Sequence, residues 1–469
     1  MAAAATTPME GTAVARLAQF AAAVAAAPPA EALEDARQRL LDVVGISVAA
    51  LDTGPANVVR ALARRWGGQP TAGAIGLDLA VPAPSAALVN GTLAHALDFD
   101  DTHVPSILHP SASVVPAALA AAEDAGASGQ ALLSAIAVGN EITIRLGNAG
   151  YDPGINNSVF FDRGLHATSI CGTVGAAAAA GVAMGLDAER LAHAMAIACS
   201  MGAGLLEANR AGGSVKRMHC GWAAHGGVAA AQAAQAGLTG PPTVLEGRFG
   251  FFRAYCGDVY DESALLEGLG TRWETAACFV KPYPTNVFTH TAIDAAVALR
   301  ERGLRPEEVE SVRIGVAGAT LRTIAEPRDA KIRPESGYHA QFSGPFTFAL
   351  ALRGGGGLGV YLDDFTDDAV RDPLNLRVAA TVEHASDPRC EEIFPRHFPS
   401  VVEVRTVDGR VLREEVLTNR GTAQRALSDA EVQVKYDLNA RRLGAGADVL
   451  AKRIARVLDR PTVAGLLTL

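Results

Sequence analysis

The chain has 469 residues, more than one hydrophobic core usually holds, so two domains are expected. It is rather apolar, with 49% hydrophobic and 19% charged residues, and no apolar run of spanning length goes without polar interruption, which argues against membrane insertion. A formal net charge of −9 without any basic block argues against a nucleic-acid partner.

The N-terminal MAAAATTPMEG lacks the basic start and continuous apolar segment of a signal peptide and reads as a disordered tail. The six cysteines are scattered with no CxxC pair, a pattern that suits reduced thiols in a cytoplasm better than a disulfide framework or a zinc site. Residues 11–27 and 30–51 read as helices; in the second, Leu33, Ala36, Leu40, Val43, Val44 and Ser47 recur at helical spacing after Pro28-Pro29. Further helices are expected over Asn57–Trp66, from Pro84 and Ser85 toward Asp98, and over Ser113–Ala125, Leu132–Leu146, His166–Met184, Ala188–Leu206 and 221–237. Two polar loops, Gly147–Gly164 and Glu207–His219, interrupt this alanine-rich series.

The character changes after about Ala277. VESVRIGVAG and VVEVRTVDGRVLREEV carry β-branched alternation, and Asp408-Gly409 is a hairpin signal. Helical pieces, Thr289–Arg302 and Phe342–Leu352, lie between them, and helices resume over Asp429–Asn439 and Ala447–Leu458. The expectation is a mainly α protein: a large all-α domain from both chain ends (11–276 and 421–469) with an inserted, smaller α+β lid domain (277–420).

The densest chemistry lies in Val89–Ser113, VNGTLAHALDFDDTHVPSILHPSAS, which carries His95, His103, His109, Asp98, Asp100, Asp101 and Thr102 between apolar flanks. Such a cluster is costly to desolvate unless each group has a partner or a task. Histidine moves protons near neutral pH and aspartates orient it, so acid–base chemistry is one reading. A divalent-metal site of a hydrolase, built on His95, Asp98, Asp101 and His109, is another, and a helix end capped by Asp and Thr is the third. His166 opens a helix, where backbone N–H groups can meet an anion. SVKRMHCG places Lys216, Arg217 and His219 before a helix, a local basic cluster that suits a carboxylate. VKPYPTNVFTHTAIDA, with Lys281, two prolines and His290, opens the second domain as a rigid loop or a plain linker.

Taken together, NGTLAHALDFDDTH with HPS, GLHATSICGTVGAAAAAG, SVKRMHCGWAAHGG and KPYPTNVFTH resemble the MmgE/PrpD family, in the right order over nearly the whole chain. The family includes 2-methylcitrate dehydratase, cis-aconitate decarboxylase and iminodisuccinate epimerase. The resemblance implies a homodimer with an active site in the domain cleft, without metal or organic cofactor, acting on small di- or tricarboxylates. Position by position it implies catalytic roles for His109, His166, Asp98 and Thr102, with one histidine as base and the other as acid. Lys216 and Lys281, with His103, Arg163 and Asn286, are implied in substrate binding. Two departures stand out: Asn286 where decarboxylase-type members resemble each other in carrying histidine, and Phe346 where they carry tyrosine. An amide cannot relay a proton at neutral pH and a phenyl ring cannot donate one. The expected activity is therefore a cofactor-independent dehydratase, with an epimerase or a decarboxylase as alternatives and a metal-dependent hydrolase as the remote one.

Overall fold

The computed structural model describes residues 9–468, apart from the side chains of residues 209, 210 and 423. Residues 1–8, most of the tail read as disordered, lie outside the described residues. The chain forms two compact units, one running to Cys278 and resuming at Asn439, the other spanning Phe279–Leu438.

The first unit is helical. Its main elements are α1 (Ala13–Ala26), α2 (Ala30–Ala49), α3 (Gly54–Trp66), α4 (Ala83–His95), α5 (Ser111–Asp124), α6 (Gly129–Ala149), α7 (Ala167–Ala183), α8 (Ala188–Ala198) and α9 (His219–Gln235). Side-chain caps start several of them: Thr12 accepts from the Ala15 N–H, Ser128 from Ala131 and Asp187 from Arg190. Small residues set the spacing between helices. A Cβ at Gly221 would stand 2.2 Å from Thr92 Oγ1 and 2.3 Å from the Leu88 carbonyl, so α9 lies against α4 only because glycine is there. Within α6, the expected Glu141–Arg145 pair is wholly buried at 2.7 Å. The Arg145 guanidinium also donates to the carbonyls of Leu265, Glu267 and Arg272, which satisfies a charge that would otherwise be prohibitive to bury.

Two expectations for this unit need correction. The helix expected to reach Leu206 stops at Ala198, and the chain turns back so that the Gly204 carbonyl accepts from the His166 N–H at 3.0 Å. The Gly147–Gly164 loop contains a short hairpin pairing Tyr151–Asp152 with Asn157–Ser158, then one helical turn, Val159–Asp162. All six cysteines are buried and none is in a disulfide. Among the described residues no single helix is long and apolar enough to cross a membrane.

The second unit is α+β. Its elements include α10 (His290–Glu301), β1 (Val309–Val316), α11 (Gly344–Arg353), α12 (Pro373–Thr381), β2 (Val382–Ser386), β3 (Ser400–Thr406) and β4 (Val411–Val416). The sheet order is β2-β1-β3-β4. β1 runs parallel to β2, with Val312 opposite Val382, and antiparallel to β3, with Ile314 opposite Val402. β3 and β4 form the expected hairpin, with Gly409 at φ 85° in its turn. Val312, Ile314, Val402 and Val404 pack with Phe346, Phe348 and Leu299 into one core. Residues 421–438, expected with the large domain, belong to this unit. Arg420 bonds Glu431 and Arg425 reaches Asp294 at 2.9 Å, so ion pairs hold the segment here until the chain leaves at Asn439.

Candidate active site

Helix α4 ends at His95, and the polar loop that follows folds back to the head of α5. Asp98 occupies the left-handed region at φ 52°, a conformation that a short polar side chain tolerates better than most. Asp101 anchors the loop. Its carboxylate accepts from Arg39 at 3.0 Å, from Ser111 Oγ at 2.6 Å and from the Ser111 N–H at 3.2 Å. This buried pair fixes the Asp101 carbonyl, which lies 2.8 Å from His109 Nδ1, with Thr102 Oγ1 at 3.1 Å from the same nitrogen. A carbonyl only accepts, so Nδ1 carries the ring proton and Nε2 of neutral His109 carries the lone pair. The His109 backbone N–H donates to Thr168 Oγ1 at 3.1 Å, which ties this loop to the first turn of α7.

His166 immediately precedes α7 and makes no side-chain cap. Its Nδ1 is 3.0 Å from Nδ1 of His219, the first residue of α9, so one of the two donates to the other. Burial, helped by His95 and Lys216, holds His166 well below the usual imidazole range. Burial, then His95, brings His219 down to about 4. Both rings are therefore neutral at neutral pH. Lys216, on the turn before α9, reaches Asp98 Oδ1 at 3.3 Å.

The four rings form a row. His95 lies 5.5 Å centroid to centroid from both His109 and His166, and His166 lies 5.1 Å from His219. His95 Nδ1 is 2.8 Å from Asp100 Oδ2, and Asp100 is wholly buried. Burial alone would raise this carboxyl, but His95 and His109 hold it at about 2.

The first unit thus gathers His109, His166, Asp98, Thr102 and Lys216. His103 belongs to the same loop, yet its ring is wholly buried and Nδ1 is 2.7 Å from Ser106 Oγ. Burial and Arg39 push it down to about 3, and its Nε2 is buried without a hydrogen-bonding partner among the described residues. Arg163 is exposed and donates to the Tyr255 carbonyl at 2.5 Å. Lys281 and Asn286 lie in the second unit. Lys281 is wholly buried, and Asn286 caps a helical turn by accepting from the Phe288 N–H at 3.1 Å. The atoms of the metal alternative are largely committed, Asp101 to Arg39 and Ser111, and His95 to Asp100. No group of three or more His, Cys, Asp or Glu among the described residues is arranged to hold a metal ion. What sequence reasoning missed is the pairing: His95 with Asp100, His219 with His166, and Thr168 with His109.

Residues 15–262 match the MmgE/PrpD N-terminal domain and residues 283–460 the MmgE/PrpD C-terminal domain. Similar proteins include the cis-aconitate decarboxylase of Homo sapiens, 31% identical over 384 residues, covering 78% of this chain and 74% of that protein. The cis-aconitate decarboxylase of Mus musculus is 28% identical over 83% of this chain and 76% of its own length. That of Aspergillus terreus is 30% identical over 46% of each chain. With both family domains matched in order, the chain belongs to the MmgE/PrpD family.

Proposed function

We propose that the protein is a lyase that moves a proton at a carbon next to a carboxylate of a small di- or tricarboxylate. The observation that carries this reading is the pairing of a histidine whose Nε2 is left as the lone-pair atom with a neutral histidine and a lysine on the same row of contacts. Lys216 exchanges its Asp98 partner for a substrate carboxylate. His109 Nε2 takes the proton from the neighbouring carbon, and the electron pair of the broken C–H bond enters an enediolate. Of the two tautomer arrangements open to the His166–His219 pair, the mechanism uses the one in which His219 donates from Nδ1, which leaves His166 an Nε2–H for the developing oxyanion; a neutral imidazole serves as donor without carrying charge itself.

In dehydration the C–O bond then breaks, the proton held by His109 passes to the departing hydroxyl, and water leaves with both histidines restored. The hydro-lyase reading is put first because Asn286 and Phe346 stand where decarboxylase-type members resemble one another in carrying histidine and tyrosine. The second reading, decarboxylation, is supported by the names of the relatives. There the C–C bond breaks, carbon dioxide leaves, and protonated His109 delivers its proton to the carbanion. The two need opposite forms of His109. Dehydration rises with pH through the titration of that ring, and decarboxylation falls. Incubation with 2-methylcitrate, citrate and cis-aconitate, with product and pH profile read together, is the test. Turnover that yields an alkene and water and climbs with pH supports dehydration; carbon dioxide release that declines with pH replaces it by decarboxylation.

A further inference from the structure

We propose that Asp100 is a positioning residue for the base: its buried carboxylate, shared between His95 and His109, stabilises the proton that His109 takes up. The inference rests on the reading of His109 as the proton-moving group and extends it by naming what sets its strength. Asp100 Oδ2 stands 2.8 Å from His95 Nδ1 and 4.0 Å from His109 Nδ1. Its other oxygen is buried and has no hydrogen-bonding partner among the described residues. A carboxylate so placed is expensive unless positive charge can gather around it, and the two rings are where that charge can sit.

Asp98 is a second carboxylate close enough to act on Asp100, and it is engaged by Lys216. His109 is faced by His95 from α4, by Asp100 and Asp101 from its own loop and by His166 from the head of α7. Asp101 is engaged by Arg39, and Lys216 by Asp98. Among the described residues, the ion pairs of Asp100 are both with histidines. As the substrate C–H bond breaks, the electron pair stays with the substrate and the proton goes to His109 Nε2, while Nδ1 keeps its own. The new positive charge then lies 4.0 Å from the carboxylate, and no proton passes to Asp100. His95 competes for the same oxygen, so the two neighbours act on His109 in opposite directions.

That opposition gives the test. The histidine ring carbons of the full-length protein are followed by NMR through a pH titration without substrate, and the His109 signal is assigned by its absence in His109→Asn. Asp100→Asn is expected to lower the His109 midpoint by about one unit or more, a tenfold loss of proton affinity. His95→Phe, which keeps the ring volume and removes the competitor, is expected to raise it. A purely structural role would move neither or move both the same way, and either result overturns the proposal. Should Asp100→Asn not fold by circular dichroism, the sign of the shift in His95→Phe decides alone. Because no substrate is used, failure here is separate from failure of the lyase reading, which would show as absent turnover with an unchanged titration.

Discussion

His109 is held at one nitrogen by a carbonyl that is itself held by a buried ion pair, so the chemistry of one ring depends on contacts two residues deep. Removing one member of a buried pair leaves the other uncompensated. Arg39→Met should therefore cost about 3–5 kcal/mol of stability, read by urea unfolding, and a loss under 1 kcal/mol would contradict the role given to the pair. At Lys216, exposed enough to reach solvent yet paired with Asp98, replacement by Met should weaken substrate binding more than folding. The expected signature is a rise in KM with only a small fall in melting temperature, from the Asp98 carboxylate left behind; an unchanged KM would remove Lys216 from carboxylate binding. The density of ionisable residues between apolar flanks marked this region from sequence. Their partners were hidden, because His166 meets His219 across 53 positions and Lys216 meets Asp98 across 118, distances that only the packed helices close.

At the scale of elements, the site rests on close helix approach. α4 delivers His95, α7 follows His166, and α9 begins at His219; glycine at the crossing of α4 and α9 lets the two backbones nearly touch. A methyl at Gly221 has nowhere to go between Thr92 and the Leu88 carbonyl. Gly221→Ala should cost about 1–3 kcal/mol by overpacking and reduce turnover by pushing His219 from His166. Denaturation midpoints and rates measured together check this, and a fully active, equally stable variant would refute it. Helical periodicity and caps placed most of these helices within a few residues. The early end of α8 was signalled by Gly202 and Gly204, both poor helix formers, and the turn is set by the close packing of Gly204 against His166. Strand β2 was silent, since Val-Glu-His-Ala-Ser carries no alternation and its partner is 70 positions away, at Val312 opposite Val382. The β3–β4 hairpin, by contrast, announces itself through its own Asp-Gly turn.

At the scale of the molecule, buried neutral histidines make stability depend on pH. His103 titrates at about 3 in the folded chain, against 6.5 for a free ring. Between those values the unfolded chain binds the extra proton, so stability is present above about 6.5 and is lost as pH falls toward 3, at roughly 1.4 kcal/mol per pH unit for this one group. His219 and His384, each at about 4, act in the same direction. Calorimetry should show the melting temperature falling from pH 7 to pH 5; a flat profile would mean that these rings gain compensating partners on protonation. The two-unit plan was readable from the change of pattern near Ala277, whereas the return point at Asn439 depends on ion pairs made by Arg420 and Arg425 that no local pattern reveals.

The most direct test of carbon-acid chemistry at this site is proton NMR of the full-length protein in D2O with 2-methylcitrate, citrate, cis-aconitate and iminodisuccinate, run beside His109→Asn. The account predicts deuterium appearing next to a carboxylate of at least one substrate with the unaltered chain, and a loss of roughly a hundredfold or more in the variant. Exchange that proceeds equally fast in His109→Asn, or no exchange by folded protein with any of the four, would contradict it.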